Sequence, residues 1–310
     1  MKKLILSIIA IAVSVCMASA QDMATATETA KTANEALTSN DYTTALKGFK
    51  EALTLAEACG EEGAEIVSTC KDIIPRIMLA IAKDAINENK LDEALKGIAE
   101  AVKVAEEYKV DDVLDEAADL VPQIKMKKAN DLYKAQDFAG AVEAFKDILA
   151  DDPTNGKVAL TLGACYAKLG DNDSAEAAFT QALENGQVVA AKKQLANINL
   201  KKASAALKAK KYAEAVESAL KSNEYVEDAK CLQIAGQASQ LAGKEVDAIK
   251  YFESYLEAAP ESKNAGQIAF TLGALYQKAK NNAKAKEFYT KALTDPKFGA
   301  EAKKQIDALK

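Results

Sequence analysis

The chain has 310 residues, of which 49% are hydrophobic and 28% charged, and this globular composition excludes a wholly disordered protein. The 40 Lys and Arg residues stand against 46 Asp and Glu, and the net charge of −6 disfavours broad nucleic-acid binding. Histidine, the commonest general base and zinc ligand, is absent, and about a fifth of the residues are alanine, which predicts an all-α protein.

The first twenty residues have the pattern of a secretory signal peptide. Lys2 and Lys3 precede an apolar run over residues 4–15, and the small residues at 18–20 form a cleavage site. A membrane anchor would need about 20 apolar residues, and this run is shorter. We therefore predict cleavage after Ala20 and a periplasmic or secreted protein without stable membrane insertion.

The remaining sequence repeats itself. Residues 137–145 recur with changes at 172–179, at 211–216 and at 41–49, and each copy places a small residue before a larger apolar one. A Leu-Gly-Ala-x-Tyr segment precedes two such copies, at residues 162–166 and 272–276. Self-similarity of this kind is typical of arrays in which neighbouring helix pairs share a core.

These segments resemble the tetratricopeptide repeat, a helix–turn–helix unit of 34 residues. The best-matching unit begins at Gly156 and carries the expected residues Gly163, Tyr166, Ala175, Phe179 and Ala182. The resemblance implies about seven units, forming an α-solenoid of stacked antiparallel helix pairs in a right-handed superhelix. Small residues at 163, 175 and 182 are expected where two helices cross, with Tyr166 and Phe179 filling the layers between.

The spacing of the repeats predicts two regions. Ala141 and Ala175 are 34 residues apart, whereas Ala45 to Ala94 is 49 and Ala94 to Ala141 is 47. We therefore expect irregular units with extended helices over residues 21–125, kinked or broken at Pro75 and Pro122. Regular repeats follow over residues 126–310 and end in a polar-faced capping helix from Phe298, which favours a monomer.

The four cysteines beyond residue 20 are Cys59, Cys70, Cys165 and Cys231. No CxxC pair or histidine accompanies them, so we predict no metal site. Cys165 and Cys231 fall inside predicted helices and are expected in the core. Cys59 and Cys70 flank a Gly60–Gly63 turn, where a disulfide and two free thiols are both compatible with the sequence.

Other polar motifs have simple interpretations. Asp171 and Asp173 lie at a predicted turn and lack the rest of a calcium loop, so we interpret them as helix caps. The Asp173-Ser174-Ala175 segment is similar to a short O-glycosylation sequence of one bacterial phylum, which makes Ser174 a candidate acceptor. No nucleophile has a histidine base and no glycine-rich phosphate loop is present, so we predict neither enzymatic activity nor a cofactor.

The resemblance also implies a binding site, because the first helix of each tetratricopeptide unit lines a concave groove. The corresponding positions here are basic or carry amides. They are Arg76, Lys83, Asn130, Lys134, Lys157, Lys168, Lys201, Lys208, Lys230, Gln233, Gln237, Gln277 and Lys278. The family's chaperone-tail clamp is not predicted, since only Asn130 and Lys157 match its positions.

The sequence thus predicts an exported, non-enzymatic scaffold that binds an unidentified protein or peptide partner in the cell envelope. A lysine-rich groove would suit an acidic or carboxylate-ended peptide. Two alternatives are a self-associating structural component and an accessory to an enzyme that processes an envelope polymer.

Overall fold

The computed structural model describes residues 19–309, and within that range the chain forms fifteen α-helices and no strand. A short 3₁₀ turn, Gly60–Gly63, joins the second and third helices. The helices are α1 Ser19–Thr38, α2 Tyr42–Ala58, α3 Ala64–Asn87, α4 Leu91–Tyr108, α5 Asp111–Lys134, α6 Phe138–Asp151, α7 Gly156–Leu169, α8 Asn172–Glu184, α9 Val188–Lys208, α10 Tyr212–Tyr225, α11 Ala229–Leu241, α12 Glu245–Ala258, α13 Ala265–Lys278, α14 Asn282–Lys291 and α15 Gly299–Ala308.

The predicted signal peptide lies outside the described residues, apart from Ser19 and Ala20 at the start of α1. None of the helices within residues 19–309 is both long and apolar enough to span a bilayer.

Consecutive helices form the pairs α1–α2, α3–α4, α7–α8, α9–α10, α11–α12 and α13–α14, which confirms the predicted all-α fold of stacked helix pairs. The turn inside each pair is short and contains one residue with a left-handed backbone, a conformation that ends a helix sharply. These residues are Asn40, Asn89, Gly170, Lys210, Gly243 and Lys280. Because such short turns leave no room for a crossover, the two helices of a pair run antiparallel.

Side-chain caps begin several second helices. The carboxylate of Asp171 accepts a hydrogen bond from the backbone N–H of Ser174 at 3.0 Å. Asp41 and Asp137 cap α2 and α6 in the same way. The predicted capping role of Asp171 is therefore confirmed, and each cap satisfies an N–H that the first helical turn leaves unpaired.

The helices divide into two compact units, one ending at Lys134 and one beginning at Ala135. Unit 1 contains α1–α5 and unit 2 contains α6–α15. Each unit is an α-solenoid with its own layered core, in which buried alanines alternate with large apolar side chains such as Phe49 and Ile98 in unit 1 and Phe145 and Phe252 in unit 2. The boundary expected at residue 125 falls within α5.

The close helix crossings expected from small residues are present. A Cβ added to Gly163 would lie 2.6 Å from the ring of Phe179, and one added to Gly236 would lie 2.6 Å from the ring of Phe252. Ala175 and Ala182 are fully buried. Alanine is therefore abundant because the helices of a pair approach so closely that larger side chains do not fit.

Pro75 and Pro122 were predicted to kink or break their helices, and neither helix is broken. The helices α3 and α5 each run for 24 residues through Pro75 and Pro122 respectively. A proline removes one backbone hydrogen bond from a helix. In α3 this loss is offset by packing, since Ile74 and Ile77 on either side of Pro75 are buried. Both helices are ten residues longer than α7, and α9, with 21 residues, is a third long helix that fits the 40 residues between Ala175 and Ala215.

Candidate functional site

In unit 2 the first helix of each pair presents a face that remains largely accessible to solvent. We define the first-helix face of unit 2 relative to the small residue at the corresponding place of each first helix, which is Gly163, Ala203, Gly236 or Gly273. The face contains the residues 6, 3 and 2 positions before that small residue and those 1, 4 and 5 positions after it. It consists of Lys157, Leu160, Thr161, Ala164, Ala167 and Lys168 on α7; Asn197, Leu200, Lys201, Ser204, Leu207 and Lys208 on α9; Lys230, Gln233, Ile234, Gln237, Gln240 and Leu241 on α11; and Gln267, Phe270, Thr271, Ala274, Gln277 and Lys278 on α13. Of these residues only Ile234 is buried.

This face carries no carboxylate. The same positions on α1, α3 and α5, counted from Ala33, Ala82 and Ala129, carry none either. With 46 Asp and Glu among 310 residues, about six of the 42 positions would be acidic at the average frequency. The lysines were predicted one by one from the sequence, whereas the exclusion of acidic side chains is a property of the whole face. It recurs from helix to helix and gives the face a positive character.

In unit 1 the predicted cations already have partners. Arg76 donates to Asp72 at 2.8 Å and pairs with Asp112, and Lys83 pairs with Glu116. These carboxylates come from the same helix or from α5. Two further predicted residues lie near the end of α5, where Asn130 is half-buried and Lys134 is exposed. The ion pairs of Arg76 and Lys83 compete with any anionic ligand for the two cations.

In unit 2 most of the predicted cations have no partner. Lys157, Lys168, Lys201, Lys208 and Lys230 are exposed and form no ion pair with another described residue. They lie on the three consecutive first helices α7, α9 and α11. An exposed ammonium beside half-buried apolar side chains is free to bind an anion without first losing an internal partner.

The other predicted residues of unit 2 are engaged. Lys278 pairs with Glu245 at the turn into α12. Gln233 accepts a hydrogen bond from Asn264 at 3.2 Å, and Gln277 accepts one from Tyr289 at 2.7 Å. Gln237 is half-buried on α11. The unpaired cations are thus a smaller set than the sequence indicated, and they lie on α7, α9 and α11.

A second charged group, which the sequence analysis missed, joins α8, α9 and α10. Lys202 and Lys221 donate to the carboxylate of Glu176 at 2.7 and 2.5 Å, and Lys202 also reaches Asp173 at 2.8 Å. Burial alone would raise the pKa of Glu176, but the two lysines outweigh it and lower that pKa to about 2. The charges of Lys202, Lys221 and Glu176 are therefore paired with one another, and these ion pairs join α8, α9 and α10. Because its charges are paired, the cluster is not a free binding site.

A cavity of about 450 Å³ lies between α12, α13 and α14. Its charged lining is internally paired, because Lys284 donates to Glu253 at 3.1 Å and Lys291 pairs with Glu287 at 2.9 Å. The hydroxyl of Tyr276 also donates to Glu253 at 2.6 Å. This cavity therefore offers a ligand fewer free charges than the first-helix face does.

The cysteines do not form a reactive site. Cys59 and Cys70 are free thiols, so the disulfide considered from the sequence is not formed in the structure. The Cys59 thiol donates to the carbonyl of Leu55 at 3.3 Å, while Cys70 is buried within α3. Burial raises the pKa of Cys70 to about 12 and that of Cys165 to about 11. Cys165 and Cys231 are buried within helices, as predicted.

Two further features concern Ser174 and metal ligands. Ser174, the candidate glycosylation acceptor, is half-buried in the first turn of α8. Within residues 19–309 no group of three or more Cys, Asp or Glu side chains is arranged to hold a metal ion.

Comparison with known proteins supports the repeat pattern. A tetratricopeptide repeat family model matches residues 132–192, which contain α6, α7 and α8. A comparison with curated proteins found no match.

Similar solved structures include a crystal structure of MamA protein, 20% identical, with 58% of this chain and 94% of that chain covered and a TM-score of 0.35. The tetratricopeptide domain of P58(IPK) is 14% identical, with coverages of 92% and 97% and a TM-score of 0.30. A tetratricopeptide repeat protein from Parabacteroides merdae is 15% identical, with coverages of 93% and 99% and a TM-score of 0.27.

Proposed function

We propose that the chain is a tetratricopeptide repeat scaffold whose unit 2 binds an acidic or carboxylate-ended peptide on the first-helix face; the family-model match over residues 132–192 supports the family. Proteins of this family are generally non-catalytic and bind other proteins. The observation that carries the proposal is the set of five unpaired lysines on α7, α9 and α11, on a face without carboxylates.

The chemistry of the face defines the ligand class. Lys157, Lys201 and Lys230 supply point charges for carboxylates, and Leu200 and Leu207 between them offer half-buried apolar surface. A short peptide with acidic and aliphatic residues would satisfy both kinds of contact. The signal-peptide pattern of residues 1–20 supports a location in the cell envelope or outside the cell, where this partner would be found.

A charge-reversal triple variant tests the proposal. Lys157→Glu/Lys201→Glu/Lys230→Glu places three carboxylates on the face, and Lys192→Glu/Lys263→Glu/Lys303→Glu makes the same net change at exposed lysines of unit 2 away from it. Fluorescence anisotropy with a library of acidic peptides should identify ligands of the wild type. We expect the face variant to lose about 100-fold or more in affinity and the control to stay within about threefold.

Other outcomes would contradict the proposal. If the face variant binds acidic peptides as tightly as the control does, the lysines are not the binding site. If light scattering shows a defined oligomer that the face variant disrupts, self-association is the better description of this surface. A partner from envelope extract that is retained by the control and lost by the face variant would extend the result to a natural ligand.

A further inference from the structure

The turns of unit 2 lie at two opposite edges. Because successive helices run antiparallel, the turns α7–α8, α9–α10, α11–α12 and α13–α14 share one edge. The connections α6–α7, α8–α9, α10–α11, α12–α13 and α14–α15 share the other. We call the edge formed by the first four turns the basic edge, for the reason that follows.

Charge is segregated between these two edges. The four turns of the basic edge contain Lys210, Lys211, Lys244 and Lys280 against a single carboxylate, Asp171. The connections at the opposite edge contain two lysines and a larger number of carboxylates, which are Asp152, Glu227, Asp228, Glu261 and Asp295. A protein with an overall charge of −6 therefore presents one positive edge.

The lysines of the basic edge are available to a ligand. Lys210, Lys244 and Lys280 are exposed and have no ion pair within the described chain, whereas Lys211 pairs with Glu214 at 3.1 Å. Asp171 is already occupied as the N-cap of α8. Lys210 and Lys280 take left-handed conformations, with φ of 60° and 59°, where glycine is the least strained residue. Backbone geometry therefore does not account for lysine at these two positions.

Large aliphatic side chains stand exposed between these lysines. Leu169 is 50% exposed at the end of α7, Leu241 is 60% exposed at the end of α11, and Val246 is 82% exposed at the start of α12. Each belongs to the last or first helical turn beside a basic-edge connection. Cations interleaved with protruding aliphatic side chains are typical of surfaces that lie on an anionic membrane.

We propose that the basic edge of unit 2 docks onto a bilayer of anionic phospholipid. Lys210, Lys244 and Lys280 contact the headgroup phosphates, and Leu169, Leu241 and Val246 enter the boundary of the acyl region. Nucleic acid is a poorer fit, because the edge has neither the arginines nor the exposed stacking aromatics with which proteins usually bind it. The lysines of the basic edge are not those of the peptide site, and Leu241 is the one residue named here that also belongs to the first-helix face.

The test measures binding of the chain starting at Gln21 to vesicles by co-sedimentation. Vesicles of phosphatidylcholine with 30% phosphatidylglycerol are compared with phosphatidylcholine alone, at roughly 0.05 and 0.5 M salt. We expect binding to the anionic vesicles only, and weaker binding at high salt. Lys210→Gln/Lys244→Gln/Lys280→Gln should lower the partition coefficient about 100-fold, since each lysine near an anionic surface contributes about 1 kcal/mol.

Matched variants separate the alternatives. Leu241→Ser/Val246→Ser should weaken binding severalfold without changing the salt dependence, and Lys192→Gln/Lys263→Gln/Lys297→Gln should bind as the wild type does. Lys157→Glu/Lys201→Glu/Lys230→Glu should retain vesicle binding while losing acidic peptides. Absence of binding to anionic vesicles, equal loss in the control triple, or tighter binding to duplex DNA than to vesicles would each overturn the proposal.

Discussion

Gly163 on α7 lies against the ring of Phe179 on α8, so closely that a Cβ at residue 163 would sit 2.6 Å from two ring carbons. The same relationship recurs between Gly273 and Tyr289, where the distance would be 2.5 Å. The repeat thus uses a missing side chain on the first helix to receive an aromatic ring from the second. This contact sets how closely the two helices of a pair approach.

We expect Gly163→Ala to destabilise the protein by about 1–3 kcal/mol, although alanine normally favours a helix over glycine by about 1 kcal/mol. Overpacking against Phe179 outweighs the gain in helix propensity. Gly97→Ala is the matched control, because its Cβ would meet only Ala82, with the Cβ at 3.1 Å and the Cα at 3.6 Å, and a smaller cost is expected. Urea denaturation measures both, and a stabilised Gly163→Ala protein would contradict the argument.

Glu176 makes the free energy of unfolding depend on pH in the acidic range. Its folded pKa of about 2 lies below the ordinary value of 4.5, so its stabilisation is fully present above about pH 4.5 and is lost as the pH falls towards 2. We expect Glu176→Gln to reduce the free energy of unfolding by about 1–3 kcal/mol at pH 7. The difference from the wild type should disappear near pH 2. Glu143→Gln, which removes an exposed ion pair with Lys146, should have little effect at any pH.

The cysteines should differ sharply in reactivity. Cys70, Cys165 and Cys231 are buried and their pKa values are raised by desolvation, so we expect no alkylation of the native protein at pH 8. Half-buried Cys59 should react slowly, and all four should react in denaturant. Peptide mapping after iodoacetamide treatment reads each site. We expect no link between the Cys59 and Cys70 peptides before reduction. A link that disappears on reduction would show that the disulfide forms.

The C-terminal helix α15 should keep the end of unit 2 closed. Ala302 is fully buried, and Ile306 and Leu309 pack against the same core. We expect Ala302→Glu to release α15, lower the melting temperature by several degrees and promote self-association through the exposed end. Ala300→Glu introduces the same side chain at an exposed position of the same helix and should remain monomeric in light scattering.

Much of the fold follows from local sequence pattern. The spacing of small and aromatic residues predicts the helix pairs and their register, because each pair repeats the same short-range packing. The continuous course of α3 through Pro75 did not follow, since it depends on the packing of Ile74 and Ile77, which offsets the hydrogen bond that proline removes.

The candidate site divides in the same way. The sequence alone determined which residues lie on the first-helix face, because helical periodicity assigns each position to a side. Only the tertiary structure decided which lysines are free, since the carboxylates that neutralise Arg76 and Lys83 come partly from a helix more than thirty residues later in the chain. The same reason applies to Glu176, which meets Lys202 and Lys221 only after three helices have packed. These partners lie 26 and 45 residues away in the chain, so the periodicity of a single helix cannot reveal the pairing.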